Sequence, residues 1–177
     1  MVVKNDYYEV ALDILDFLED NLASKHYNVL GSMAAQIAEN MLKSVLISEG
    51  IEFTLVSKSQ HLKNIYTKIQ EAGVDLELDK KYLSSLTDVY FETRYPGENY
   101  REVSYEDCVE CIQTMYDVVL AVNNYRKSRG LPVKSVAPKQ LSNSEPEDSI
   151  DNVFIRYRQA CNVPVADDWM EELSILF

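Results

Sequence analysis

Histidine is nearly absent from this chain: there are two in 177 residues, His26 and His61, and both precede every arginine. Acid–base chemistry that depends on imidazole therefore has few positions to work from. Glycine and proline are also scarce, at 5 each, which favours long helices over a turn-rich β fold. Three cysteines, an odd number, do not make a disulfide framework, and a reducing cytoplasm is the expected setting. No apolar run approaches the roughly 18 residues a bilayer span needs. The N-terminus has no long apolar h-region, so a signal peptide is not expected. Basic residues are outnumbered, 17 against 29 acidic, for a net charge of −12. Non-specific nucleic-acid affinity comes from cations that displace counterions from phosphates, so bulk DNA binding is excluded and any polyanion contact must be local.

What is present reads as helix. With 46% apolar and 26% charged residues, a folded domain with an appendage is expected. Over residues 6–23, Tyr7, Ala11, Ile14, Leu15, Leu18 and Leu22 recur at helical spacing toward a core. Glu9, Asp13, Asp16 and Asp20 align on another face, which reads as solvated rather than metal-binding because no further ligands accompany them. Residues 28–48, closed by Gly50, are apolar almost all round, from Leu30 to Leu46, with a narrow polar strip at Gln36, Glu39, Asn40 and Lys43. That breadth predicts the central helix of a bundle. A third helix spans 61–72 and ends at Gly73. Asp79 caps a fourth over 80–93, with Tyr82, Leu83, Leu86, Val89 and Tyr90 inward. Ser104 caps a long fifth helix reaching about Lys127, with Asp107 completing an approximate capping box. The expected fold is all-α: an antiparallel up-and-down bundle of four to five helices over 5–128. Residues 129–149 read as a linker or wrapped arm. A short helical extension over 150–177 is expected to dock on the bundle or on a partner.

The segment Leu86-Thr-Asp-Val-Tyr-Phe-Glu-Thr-Arg-Tyr-Pro-Gly-Glu-Asn-Tyr100 carries the most chemistry. A helix runs into a stop, since Pro96 disfavours helical geometry at Tyr95 and Gly97 supplies a turn. Arg94 arrives just before the break, amid Tyr90, Phe91, Tyr95 and Tyr100. A cation in an aromatic setting beside a helix end suits an anion or a planar base. The alternative is a structural terminator in which Arg94 bonds the last free carbonyls. A second basic feature lies between Asn123 and Gln140, where Arg126, Lys127, Arg129, Lys134 and Lys139 occur with no acid. This run reads as a solvated helix end plus linker, since cations favour helix C-termini.

The central helix, with Ala34-Ala-Gln-Ile-Ala-Glu-Asn-Met-Leu-Lys43, and the run Leu86-Thr-Asp-Val-Tyr-Phe-Glu-Thr-Arg-Tyr-Pro96 together resemble the HEPN family, helical domains named for nucleotide binding in higher eukaryotes and prokaryotes. The resemblance covers about residues 5–128, is most specific at Tyr-Phe-Glu-Thr-Arg-Tyr-Pro, and points to a non-nuclease-like group. It implies an up-and-down bundle that often dimerises and binds nucleotides or RNA. Many members are encoded with minimal nucleotidyltransferases in defence or toxin–antitoxin pairs. Ribonuclease members carry Arg, four to six residues, then His at the opening of the last helix. From Arg94 the corresponding positions are Asn99, Tyr100 and Arg101; from Arg101 they are Glu106, Asp107 and Cys108. Neither window holds a histidine. The family's third helix opens on a His, which Gln60-His61-Leu62 places one position late, so no role passes to His61.

The resulting expectation is a cytoplasmic, non-enzymatic nucleotide-binding module with no cofactor or metal. Its ligand would be a nucleotide or a short RNA end. Arg94 would meet phosphate, assisted by Lys43 and Arg101, with Tyr95 or Tyr100 against the base. Lys43 has a competing structural role as the i, i+4 partner of Glu39. The partners expected are a minimal nucleotidyltransferase and a second copy of the chain, paired through the central and last helices. The alternative is a protein-interaction module with no nucleotide ligand. Cys108-Val-Glu-Cys111 lies within a helix on its apolar stripe and reads as buried structural thiols.

Overall fold

The computed structural model describes residues 6–51, 61–94, 96–134 and 150–160. Among them there are helices and no strands. These are α1 (Tyr7–Asp20), a single 3-10 turn at Leu22–Ser24, α2 (Tyr27–Ser48), α3 (Leu62–Glu71), α4 (Lys80–Glu92), α5 (Tyr105–Ser128) and α6 (Ile150–Ala160).

Their boundaries follow local chemistry. Asp6, Asp79 and Ser104 each accept a backbone N–H from the first turn of the helix they precede, at 3.0, 2.7 and 3.0 Å, which satisfies donors with no intrahelical partner. Gly50, Gly73 and Gly130 close α2, α3 and α5 in the left-handed region, at φ 69°, 86° and 68°.

Helix α2 is the axis of the bundle. It packs against α1, α3, α4 and α5, and Ile37, Ala38, Met41, Leu42, Val45 and Leu46 are wholly buried. Most of its broad apolar surface is thus buried inside one chain. Val29 and Ile47, at 55% and 48% exposed, are the large apolar side chains of α2 left on the surface. Gly31 lets α4 come close: a Cβ there would stand 3.0 Å from Val89 Cγ1 on α4.

Two inward faces differ from the sequence expectation. On α1 the buried set includes Tyr8, Leu12 and Glu19, whereas Tyr7 and Ile14 are half-buried. The hydroxyl of Tyr116 on α5 donates to Glu19, so the polar group is drawn inward by a partner no local pattern shows. On α4, Tyr82 is 44% exposed and Thr87 takes an interior place, its hydroxyl accepting the Leu62 N–H and donating to the Leu83 carbonyl. The acidic residues Asp13, Asp16 and Asp20 of α1 are exposed, and no group of side chains among the described residues could hold a metal ion. None of the described helices is long and apolar enough to cross a membrane.

Helix α6 docks on α5, where Tyr157 stacks on Tyr116 with ring centroids 4.1 Å apart and Phe154 lies alongside. Ile150, Val153, Phe154 and Tyr157 are buried by this contact. The thiols of Cys108 and Cys111 are buried within the bundle, and burial pushes each up to about 12. They are inert packing groups at neutral pH.

Candidate functional site

The segment leaving α4 is anchored on both sides. Thr93 closes the helix with its N–H and hydroxyl on the Val89 carbonyl, at 3.2 and 2.8 Å. The Glu92 carbonyl takes the Arg101 N–H at 3.1 Å, which folds the chain back. Between them, Gly97 accepts the Tyr100 N–H at 3.0 Å. Asn28, in the first turn of α2, fastens the far side. It donates to the Tyr100 hydroxyl at 3.0 Å and accepts from the Val103 N–H at 2.7 Å.

Arg94 is exposed, with its guanidinium over the Tyr90 ring 4.2 Å from the centroid. Among the described residues it bonds no carboxylate and no carbonyl. Two of the last carbonyls of α4, those of Val89 and Glu92, are served by Thr93 and by the Arg101 backbone. The Tyr90 ring meets Phe91 edge-on at 5.4 Å, and Phe91 lies 5.3 Å from the His61 ring. His61, Phe91, Tyr90 and Arg94 therefore form one continuous run of flat groups ending in a cation. No spacing in the sequence could reveal that His61 belongs to it, because the α3–α4 packing makes the contact. Tyr100 is 45% exposed, its ring held by the Asn28 bond. Tyr95, the other proposed stacking residue, lies outside the described residues.

The two proposed assistants are engaged elsewhere. Arg101 pairs with Asp107 at 2.5 Å, and its other terminal nitrogen lies 3.8 Å from Glu92. The Asp107 hydrogen bond and charge raise the guanidinium's affinity for its proton. Burial alone would push Asp107 up, but Arg101's bond and charge outweigh it and hold the carboxyl below its ordinary value. Arg101 faces a cavity of about 280 Å³ between α4 and α5, which Asp88, Glu92, Asp107 and Glu110 make acidic. There it serves as an internal counterion. Lys43 departs further from expectation. It is buried, bonded to Glu39, and 5.8 Å from the Tyr7 ring. Fifteen residues of α2 separate it from Asn28, roughly 22 Å along the axis, so it does not meet Arg94. The structural pairing with Glu39 is what the fold adopts.

The helix order, the central α2 and the α4 terminator now stand together. A family model described as the HEPN domain matches residues 5–125. The chain belongs to the HEPN domain family. No curated protein and no solved structure matches it. At the family level this makes the chain a nucleotide-binding or ribonuclease-like helical module. The HEPN match ends within α5, so α6 lies beyond the family's span.

Proposed function

We propose that this HEPN module binds a nucleotide, or the end of a short RNA, at the face formed by Arg94, Tyr90 and Tyr100. One observation carries the reading: an exposed guanidinium, already held flat by an aromatic ring, has no protein partner among the described residues. Such a group is pre-oriented for the two-pronged contact that phosphate oxygens accept, and stacking leaves its outer edge available. Tyr100, fixed by Asn28, supplies a ring for a base. The acidic surroundings of Arg101 favour a small ligand with one or a few phosphates over a long polyanion. Lys43 has no part in this site.

A minimal nucleotidyltransferase acting with the module in a defence or toxin–antitoxin pair belongs to the same proposal. It rests on the family alone. Pairing of two copies also remains a proposal. The exposed apolar residues it could use include Val29 and Ile47 on α2 and Phe17 on α1. Light scattering at micromolar concentration tests this, and a monomer removes it. For the ligand, the experiment is thermal unfolding of the purified chain with and without nucleoside mono-, di- and triphosphates at constant ionic strength. A concentration-dependent rise in Tm supports binding. If co-purification captures a partner and no nucleotide shifts the melt, the protein-interaction alternative takes its place.

A further inference from the structure

In the basic run at the end of α5, Lys127, Arg129 and Lys134 are exposed as a solvated helix end requires, and Arg126 departs from that reading. Arg126 is only 8% exposed, and its guanidinium lies flat on the Tyr8 ring, 3.8 Å from the centroid. Tyr8 is itself fixed, donating to Asn123 at 2.8 Å and accepting the Lys134 N–H at 3.2 Å. Arg126 spends one donor, Nε, on the Pro132 carbonyl at 2.8 Å. Among the described residues no carboxylate pairs with it. The α5 carbonyls do not take its remaining donors either. The N–H groups of Arg129, Gly130 and Leu131 serve those of Tyr125, Arg126 and Lys127. A buried cation with no directly bonded carboxylate is costly, because desolvation of the charge is repaid only by pairing.

The cavity beside this group shows what would pair with it. It is an open cleft of about 680 Å³ where the C-terminal ends of α2 and α5 meet the start of α1, lined by Arg126 and Arg129 and by the carboxylates of Glu49 and of Asp6, whose Oδ1 accepts the Tyr8 N–H at 3.0 Å. Arg129 contributes a second guanidinium, held at 2.9 Å by Glu49, which also accepts the Tyr125 hydroxyl at 2.5 Å. The Ser44 and Ser48 hydroxyls lining the wall donate their protons to backbone carbonyls, so the donors left for a ligand are the arginines'. Ile47, 48% exposed, and Leu131 give the cavity an apolar side.

We propose that this cavity is an oxyanion site for a small organic phosphate. The phosphoryl oxygens bond the terminal nitrogens of Arg126 and one edge of Arg129, while the apolar part rests on Ile47 and Leu131. Paired planar forks match phosphate oxygens better than they match a halide. The site lies at the opposite end of α2 from Asn28 and the Arg94 face, about 30 Å along the helix, and does not depend on the reading of that face.

The test uses the full chain and two probes, inorganic phosphate and phenyl phosphate, titrated calorimetrically at constant ionic strength. Both should bind, phenyl phosphate more tightly because only it reaches the apolar side. Arg129→Ala, an exposed position that leaves the fold intact, should weaken both on the order of tenfold, as should Arg126→Lys, measured below its melt. Equal affinity for the two probes overturns the assignment of Ile47 and Leu131. Undetectable binding of both at millimolar concentration overturns the site itself. So does binding that Arg129→Ala and Arg126→Lys leave unchanged. Loss in Arg94→Ala alone would place the anion at the other end of the bundle, and also overturns it.

Discussion

Replacing Gly31 with alanine should loosen the bundle, although alanine is the better helix former. Within a helix, glycine to alanine favours folding by about 1 kcal/mol. Against that, the new Cβ would stand 3.0 Å from Val89 Cγ1 and 3.8 Å from Cys111 Sγ. Val89 is 6% exposed and β-branched, with one strongly preferred rotamer in a helix, so it cannot swing aside. The gap between α2 and α4 must open, and overpacking of this kind costs about 1–3 kcal/mol. The steric term wins, and the expected net loss is about 1 kcal/mol. In a chain of this size that is a fall of about 2–4 °C in Tm. Urea unfolding should show a lower midpoint with an unchanged slope. The decisive arm is the same substitution in a Val89→Ala background. With the obstructing methyl gone, Gly31→Ala should stabilise by about 1 kcal/mol, so the sign reverses between backgrounds. An equal effect in both backgrounds, or a gain in the native chain, would refute the close-packing argument.

Three further expectations follow from the same geometry. In a Cys161→Ser background, which leaves only the two thiols of α5, iodoacetamide should not label the native protein at pH 8 but should label it fully in denaturant; because burial raises both thiols from 9.0 to about 12, their contribution is intact below pH 9 and lost as pH rises toward 12. Asp107, held below its ordinary value chiefly by Arg101 despite the opposing effect of burial, contributes stability above the unfolded carboxyl's pKa of about 4 that is lost as pH falls. Asp107→Asn should therefore lower Tm at pH 7 by a degree or two and by progressively less as pH falls below about 4, and an effect that does not change with pH would argue against the ion pair. Metal-free cleavage of single-stranded RNA is not expected, since no histidine follows Arg94 at the ribonuclease spacing; activity abolished by both Arg94→Ala and His61→Ala would overturn that and make the His61–Phe91–Tyr90–Arg94 run catalytic.

The parts of the fold legible in the sequence are those set within a few residues. Asp79, Ser104, Gly50 and Gly73 mark their helix ends because a cap or a left-handed turn is a local device. Helix α2 announces itself as central because its apolar residues leave room for only a narrow polar strip. The fates of cations are settled at longer range. Arg126 is buried because Tyr8, from the other end of the chain, supplies its platform and Pro132 folds back to meet it. Arg101 is captured by Asp107 across a capped helix start, and Glu92 completes an acidic setting around it. Lys43 had a visible alternative in Glu39, and burial at the α1 contact decided for it. His61 reaches the Arg94 face through Phe91. Periodicity sorts residues by face but does not say which other helix supplies a charge or a ring.

The central claim is that Arg94 is a ligand-binding cation and has no structural duty. It is tested most directly by measuring nucleotide affinity and folding stability together on Arg94→Ala. Loss of a charge-assisted contact to phosphate should weaken binding by about 1.5–3 kcal/mol, roughly ten- to a hundredfold. Folding stability should change by less than about 1 kcal/mol, since an exposed guanidinium over one ring contributes only that much. Arg94→Lys should recover part of the affinity and not all of it. A sharp fall in Tm with nucleotide affinity unchanged below the melt would contradict the account and make Arg94 a structural residue.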